Sequence, residues 1–374
     1  MRNVATISGA ARPQGSPLDI YQVVELDGVP VTCGLIHSRD THFDRNDPKN
    51  RRNVLVRVKA FSCNYRDKSL IHQVARAGRD GGFYVVGSDF VAEVLEVGDD
   101  VTSLRPGDRV IGNGAYPDSG VAGVPGGVPT NHASKELQVF HEAKLIQIPP
   151  SIPDPEAAAL GIGAQTAYAM VRRLDLPRGA NVLVTAAKSN TSLYAIGLLA
   201  RLGINVYATS TSRRFEDCLI EMGLKELIVV DRGARPLGPP SRIRELVQET
   251  GGFDGVIDPF FDLHLERVIG LIRIGGRYIT CGWYDQHHEI LGWPSLLRQF
   301  NGAHVLATAM IRNIQLIGNC GGTTRDLEAA IEDHASGHLR VAVDSVHEGG
   351  DVGAFFHRTF NASDRLGKVI YRHA

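Results

Sequence analysis

Apolar and polar positions keep one rhythm in the first part of the chain and another in the middle. Val54 to Ala60 alternates inward and outward, the period of a half-buried strand. Asp19 to Leu26 alternates in the same way. Further strand-like runs lie at 85–98, with a Gly turn, and at 104–111, opened by Pro106-Gly107. Short strands broken by turns at this density predict a barrel-like β domain. His37 to Arg52 is polar and charged, which predicts a loop, and the spacing of His37, His42 and Asp44 matches no standard metal site. Residues 113–135 are rich in Gly, Pro and small polar residues. A loop of that length fits a functional role and a plain surface excursion equally.

Prolines at 149–155 end this pattern, and helical spacing follows. Glu156 to Leu160 and Gln165 to Leu174 predict two helical segments, with Ser151 or Asp154 as the cap. Asn181 to Ser212 then reads as strand, turn, helix and strand. Val182 to Val184 is a buried strand, Lys188 to Ser192 a polar turn, and Leu193, Ile196, Leu199 and Ala200 recur at helical spacing. Gly203 stands where a helix C-terminus wants a left-handed residue, and Asn205 to Ala208 opens the next strand. The alternation continues with helices at Arg213 to Met222, Arg242 to Glu249 and Leu263 to Ile272. Strands fall at Glu226 to Val230, Gly255 to Asp258 and Gly276 to Gly282. This is the order of an α/β, doubly wound parallel sheet. From Ile314 onward, through a helix at Asp326 to His334, the chain returns to mixed structure.

Composition narrows the function classes. The chain has 374 residues, 43% hydrophobic, enough for two domains with real cores. A formal net charge of -1 argues against nucleic acid or an anionic membrane as the main partner. No apolar run reaches the ~18 residues of a membrane span, and the first residues lack a signal-peptide apolar core. Five scattered cysteines without CxxC spacing suit reduced thiols in a cytoplasmic protein.

The strand–turn–helix unit carries the candidate chemistry. Where a dinucleotide-binding turn has glycines, this chain has Ser189, Asn190 and Ser192. Lys188, Ser189, Asn190, Thr191 and Ser192 still offer charge and donors for an anion. The same residues also suit a self-capped turn in a protein that has lost its cofactor. The second strand ends Thr209-Ser-Thr-Ser-Arg-Arg214, without the acid that takes ribose hydroxyls. Ser210, Ser212, Arg213 and Arg214 suit a 2′-phosphate, since charge-assisted bonds are worth ~1.5–3 kcal/mol each. Basic residues in a first helical turn oppose the helix dipole, which also favours a ligand role. The expected nucleotide is NADPH. Gly282, at the end of a later strand, lies at the carboxyl edge where such sheets bind ligands.

From about residue 50 the order of motifs resembles the medium-chain dehydrogenase/reductase superfamily. The resemblance rests on Asn64-Tyr-Arg-Asp67, Gly87-Ser-Asp-Phe-Val-Ala-Glu-Val94, Val97-Gly98, Arg105-Pro-Gly-Asp-Arg-Val110, the 181–212 unit, Phe253-Asp-Gly-Val-Ile-Asp-Pro259, Gly275-Gly-Arg-Tyr-Ile279 and Leu366-Gly-Lys-Val-Ile370. It implies a GroES-like β-barrel domain over 1–155, completed by 319–374, and a Rossmann domain over 156–318, with the active site in the cleft between them. The positions of a catalytic zinc's ligands match Asn64, Ser88 and Ile162, a set unsuited to zinc, so no metal is expected. Cys63, one residue away, should point elsewhere.

The resemblance is therefore to the zinc-independent quinone oxidoreductase and enoyl reductase branch. It implies hydride transfer from NADPH to an activated alkene or a quinone. Asn64, Tyr65 and Asp67 become the catalytic candidates. Asn64 would orient substrate or ribose. Tyr65 would donate a proton or hydrogen bond, or else simply pack. Asp67 fits a loop-fixing acceptor better than a base. Tyr84 and His132 are further candidates for the cleft. Thr166, Leu366 and Lys368 join Gly282 as cofactor contacts. A homodimer, paired near Ile311 to Ile317, is also implied. Two other readings stay open: a cofactor-free binding protein or non-redox enzyme, and an alcohol or aldehyde oxidoreductase, the latter disfavoured without metal ligands.

Overall fold

The computed structural model describes residues 1–7, 18–38, 41–76, 82–231 and 241–373. The chain divides into two compact units, 1–162 with 341–374, and 163–340. In the first, β1 (Arg2–Ile7), β2 (Leu18–Leu26) and β3 (Val29–His37) form an antiparallel sheet. Asp27 and Gly28 join β2 to β3 with φ of 50° and 77°, the positive pair a two-residue hairpin needs. The alternating run at Val54 lies in β4 (Asn53–Ser62), the centre of a second sheet. Helix α1 (Tyr65–Arg76) follows. The sheets gain β5 (Phe83–Val85), β6 (Asp89–Val97), β7 (Arg109–Gly112), β8 (Leu137–His141) and β9 (Leu145–Gln147).

Helix α2 (Asp154–Leu174) runs from the first unit into the second. The two expected helical segments lie on either side of Gly161, whose backbone is not helical and breaks α2 there. A Cβ at Gly161 would fall 2.0 Å from Asp89 Oδ1, so glycine is required for the close approach. The second unit then alternates: β10 (Asn181–Val184), α3 (Asn190–Arg201), β11 (Asn205–Ser210), α4 (Glu216–Glu221), β12 (Glu226–Val229), α5 (Ser241–Thr250), β13 (Phe253–Asp258), α6 (Phe261–Val268), β14 (Ile272–Thr280), α7 (Gln286–Leu291), α8 (Gly302–Arg312), β15 (Gln315–Gly318) and α9 (Thr324–Ala335). Its six strands are all parallel, in the order β12-β11-β10-β13-β14-β15. The order reverses between β10 and β13, the switch point of a doubly wound sheet.

Back in the first unit, β16 (Val343–Glu348), α10 (Val352–Phe360) and β17 (Lys368–Arg372) complete the second sheet, ordered β16-β17-β4-β6-β7-β9 with β8 also on β4. Phe61, Phe90, Phe355, Phe356 and Tyr371 fill its core. The units meet along the chain at 162/163 and 340/341, against the 155/156 and 318/319 read from the sequence. Helix α9 belongs to the second unit because Arg172 grips Asp326 with two hydrogen bonds (2.8 and 2.9 Å) and Gln165 bonds Thr323 O at 3.0 Å. Among the described residues no helix is long and apolar enough to cross a membrane.

The helix expected from Arg213 starts at Glu216. Arg213 and Arg214 precede it, Phe215 stands between in a left-handed turn (φ 69°), and the first turn is acidic. The dipole argument for these two arginines therefore does not apply.

Candidate functional site

In the first unit, three neighbouring strands bring the site residues to one place. Ser62 at the end of β4 pairs with Asp89 at the start of β6 and with Ile370 of β17. Asn64 lies just past β4, and Lys368 opens β17. The Lys368 ammonium is buried and has three acceptors: Asn64 Oδ1 at 2.7 Å, Cys63 O at 3.0 Å and Asp89 Oδ2 at 3.1 Å. Each of its three N–H groups thus has an acceptor. The Asn64 amide donates to Asp89 Oδ2 (2.6 Å) and Ser88 Oγ (3.0 Å). Asp89 Oδ1 accepts from the Ile162 backbone N–H at 2.7 Å, so two of the three zinc-ligand positions of the resemblance, Asn64 and Ile162, bond this carboxylate, while Ser88 Oγ bonds Asn64 and Asp67.

Asp67 fixes the start of α1. Its Oδ2 accepts from the Asn64 backbone N–H and from Ser88 Oγ, both at 2.6 Å, a reach back to the helix cap. Burial raises the Asp67 carboxyl above its ordinary range, and these bonds offset that only in part. Tyr65, half-buried, begins the helix with Lys68 Nζ 5.6 Å over its ring. Burial pushes the Cys63 thiol well above its ordinary range, which makes it inert. Tyr84 and His132 pack edge to face at 5.2 Å.

In the second unit, Ser189 caps α3, its hydroxyl accepting from the Ser192 amide at 3.2 Å. Ser189 Oγ also donates to Ser192 Oγ (2.8 Å), which donates to Thr185 O (2.9 Å). These hydroxyls hold the turn itself. Ala186 takes φ 47°, a left-handed position that strains an L-residue. Lys188 Nζ reaches Ser212 Oγ at 3.1 Å, and the Ser212 amide reaches Ser210 Oγ at 3.4 Å, so positive charge collects where β10 and β11 end. Asn190 and Thr191 open α3, and Thr166 is buried on α2. Arg213 bonds Glu216 at 2.7 Å on the surface, and Arg214 stacks on Phe215 at 5.3 Å. The Gly282 carbonyl accepts from the Phe261 amide at 3.2 Å, just past β14.

The sequence reading missed a buried carboxylate at the switch point. Asp258 Oδ1 accepts from Thr185 Oγ1 (2.6 Å), His264 Nδ1 (2.8 Å) and the Phe260 amide (2.9 Å), and Oδ2 from Tyr278 OH (2.7 Å). Desolvation would raise the Asp258 carboxyl, but the His264 charge and these bonds outweigh it and hold it below its ordinary range. Phe260 and His264 belong to the cap and body of α6 just after Asp258, but Thr185 and Tyr278 come from the ends of other strands, so no single local motif marks the set. The ammonium of Lys368, an expected cofactor contact, bonds Asp89, Asn64 and Cys63 O within the chain. Leu366 gives its amide to Asp344 at 3.1 Å.

Residues 50–150 match the alcohol dehydrogenase GroES-like domain. An acryloyl-coenzyme A reductase of Metallosphaera sedula is 26% identical over 85% of this chain and 91% of its own. The chain belongs to the medium-chain dehydrogenase/reductase superfamily. Other members of the superfamily agree. A chloroplastic quinone oxidoreductase of Triphysaria versicolor is 30% identical over 47% of this chain and 51% of its own. A cobalt- and zinc-bound thermostable alcohol dehydrogenase of Pyrobaculum aerophilum shares the fold with a TM-score of 0.70 at 23% identity, covering 94% of this chain and 99% of that one.

Proposed function

We propose that the chain is a zinc-independent, NADPH-dependent reductase of an activated C=C bond, in an enone or enoyl thioester, or of a quinone. The similarity to acryloyl-coenzyme A reductase over most of both chains supports the thioester. The shorter match to a quinone oxidoreductase supports the quinone. The buried Lys368 ammonium carries the zinc-independent part. It binds the Asp89 carboxylate, which Asn64 and Ile162 also bond, and the Asn64 side-chain oxygen, whose amide nitrogen reaches Ser88. An amide, a hydroxyl and a backbone N–H beside an ammonium do not fit a zinc ion.

A bound nicotinamide supplies the hydride. The chain's own residues must then hold the developing oxyanion and return a proton. Asn64 has its oxygen on Lys368 and its amide on Asp89 and Ser88, so it orders the site rather than donating to substrate. Asp67, engaged at the helix start, serves as an acceptor. Tyr65 takes the donor role. Tyr65→Phe is expected to lower kcat roughly 100-fold with KM nearly unchanged. A kcat equal to wild type in steady-state assays would return Tyr65 to a packing role.

Lys188 in the turn after β10, bonded to Ser212 just past the end of β11 beside Ser210, with no acid in 209–214, favours NADPH over NADH. Arg213 can join them, because its ion pair with Glu216 is exposed and weakly held. Titration with NADPH and NADH, followed by nicotinamide fluorescence, tests the reading. Micromolar NADPH binding with much weaker NADH binding supports it. Folded protein that binds neither would sink it in favour of the non-redox alternative, which the self-capped Ser189–Ser192 turn favours. The five free thiols suit a reducing, cytoplasmic setting.

The reading includes a homodimer. β15 ends the parallel sheet, and beside it Leu306, Met310 and Ile311 of α8 are 65%, 73% and 75% exposed. An apolar group of this kind next to a strand edge suits a second copy of the chain. Ile311→Asp with Met310→Asp is expected to halve the mass seen by sedimentation. An unchanged mass would exclude this surface.

A further inference from the structure

Helix α1 buries a cation that packing alone does not call for. The Lys68 side chain is 4% exposed, and its ammonium meets both oxygens of Asp27, at 2.6 and 2.5 Å. Asp27 stands in the turn between β2 and β3, at φ 50°, with its side chain 30% exposed. Its Oδ2 also meets Nε2 of the buried His72 at 2.9 Å. The same ammonium lies over the Tyr65 ring, 5.6 Å from its centre. That is inside the ~6 Å reach of a cation–π contact. Tyr65, Lys68 and His72 follow one another at i, i+3 and i+7, the spacing of one helix face. An aliphatic side chain would fill the place of Lys68 without desolvating a charge, and such replacements of buried ion pairs are often neutral or stabilising.

What the charge gains is a fixed place beside Tyr65. That residue opens α1 directly after Asn64. When Tyr65 acts as the donor, its O–H bond breaks and the proton goes to the substrate anion left by hydride transfer. A phenolate remains until water reprotonates it. A cation already fixed beside the ring stabilises that phenolate without reorganisation, and more strongly where water is excluded. Asp27 offsets part of the charge and also anchors it. The hairpin and the helix hold the two ends of the ion pair, so the ammonium keeps one place over the ring.

We propose that Lys68, anchored by Asp27, is a positioning residue that holds the Tyr65 ring and stabilises its phenolate during proton transfer. This role rests on the reductase reading with Tyr65 as the donor. The contact itself follows from the geometry of α1 and the β2–β3 turn.

The test uses Lys68→Met, Lys68→Gln, Lys68→Arg and Tyr65→Phe in the full chain, with NADPH and an enone, an enoyl-coenzyme A or a benzoquinone. Lys68→Met is expected to keep the wild-type urea midpoint, because Asp27 can turn to water and retains His72. It should lower kcat about tenfold with KM within about twofold of wild type. Lys68→Gln keeps a donor for Asp27 without the charge and should show the same fall, while Lys68→Arg keeps the charge and should recover most of it. In the Tyr65→Phe background Lys68→Met should cost nothing more, since both changes then remove one function. A further tenfold fall in that background, or a kcat equal to wild type in Lys68→Met and Lys68→Gln, overturns the proposal. A readout without substrate comes from carbon-13 ring-labelled tyrosine: the signal lost in Tyr65→Phe should move in Lys68→Met and return in Lys68→Arg, and a stationary signal also overturns it. A wild type that reduces none of the three substrates sinks the reductase reading and this role with it. An active wild type matched by the uncharged variants sinks this role alone.

Discussion

Lys368→Met is expected to destabilise the protein by about 3–5 kcal/mol, because it leaves the Asp89 carboxylate buried without its cation. The pair has side chains only 4% and 2% exposed, so water cannot substitute for the lost ammonium. The same change strands Asn64 Oδ1 and Cys63 O, both of which accept from Lys368. Asn64 would then lose the bond that orients its amide, and activity should fall roughly 100-fold even at temperatures where the variant is folded. Urea unfolding and initial rates measure the two effects separately. A double-mutant cycle with Asp89→Asn isolates the pair: the second change should recover part of the stability, since no charge is then left alone in the core. If the double variant is as unstable as the sum of the singles, Lys368 acts through packing and the charge-pair argument fails.

Asp258→Ala is expected to cost about as much in the second unit. Four donors, from Thr185, Phe260, His264 and Tyr278, converge on this carboxylate, and each buried donor left unsatisfied costs about 1–3 kcal/mol. The losses will not add fully, so a total of about 4 kcal/mol is the expected scale. Asp258→Asn keeps an acceptor and should lose less. The effect on the turn is specific. Thr185 bonds Asp258 through its hydroxyl and Ser192 through its carbonyl, so the carboxylate is linked directly to the cap of α3. Nucleotide affinity should therefore fall in Asp258→Asn by more than its stability loss alone would bring. The folded carboxyl is held below its ordinary value, so its stabilisation is present above the unfolded value near pH 3.9. It is lost as pH falls through the lower, folded value. The stability gap between wild type and Asp258→Asn should shrink below about pH 4. A gap that stays constant through that range would mean that the charge contributes nothing.

The order of elements was legible because period and punctuation are local properties. The alternation in β4, the prolines at 149–155 and the apolar run in β10 each depend only on residues within a few positions, and each element formed where the pattern indicated. The doubly wound sheet follows from the strand–helix alternation for the same reason. Helix α1 was not legible. Its buried face includes Asp67, Lys68 and His72, so it lacks the apolar stripe that marks a helix. Lys68 and His72 can be buried because Asp27, in the hairpin turn between β2 and β3, takes a bond from each, at 2.6 and 2.9 Å.

The candidate site divides along the same line. The sequence alone determined which residue types stand in the motifs: Asn64 and Ser88 in place of thiol or imidazole, serines in place of glycines at 189 and 192, and no acid at the end of β11. Only the tertiary structure decided what those residues do. It turned Ser189 and Ser192 inward to cap their own helix, sent Arg213 to Glu216, and gave Lys368 to Asp89 and Asn64. Asp89 has no local signature, because its partners Asn64, Ile162 and Lys368 are all distant in the sequence, and Asp258 takes Thr185 and Tyr278 from other strands. A buried charge is specified by whatever surrounds it in space, and sequence spacing does not record that.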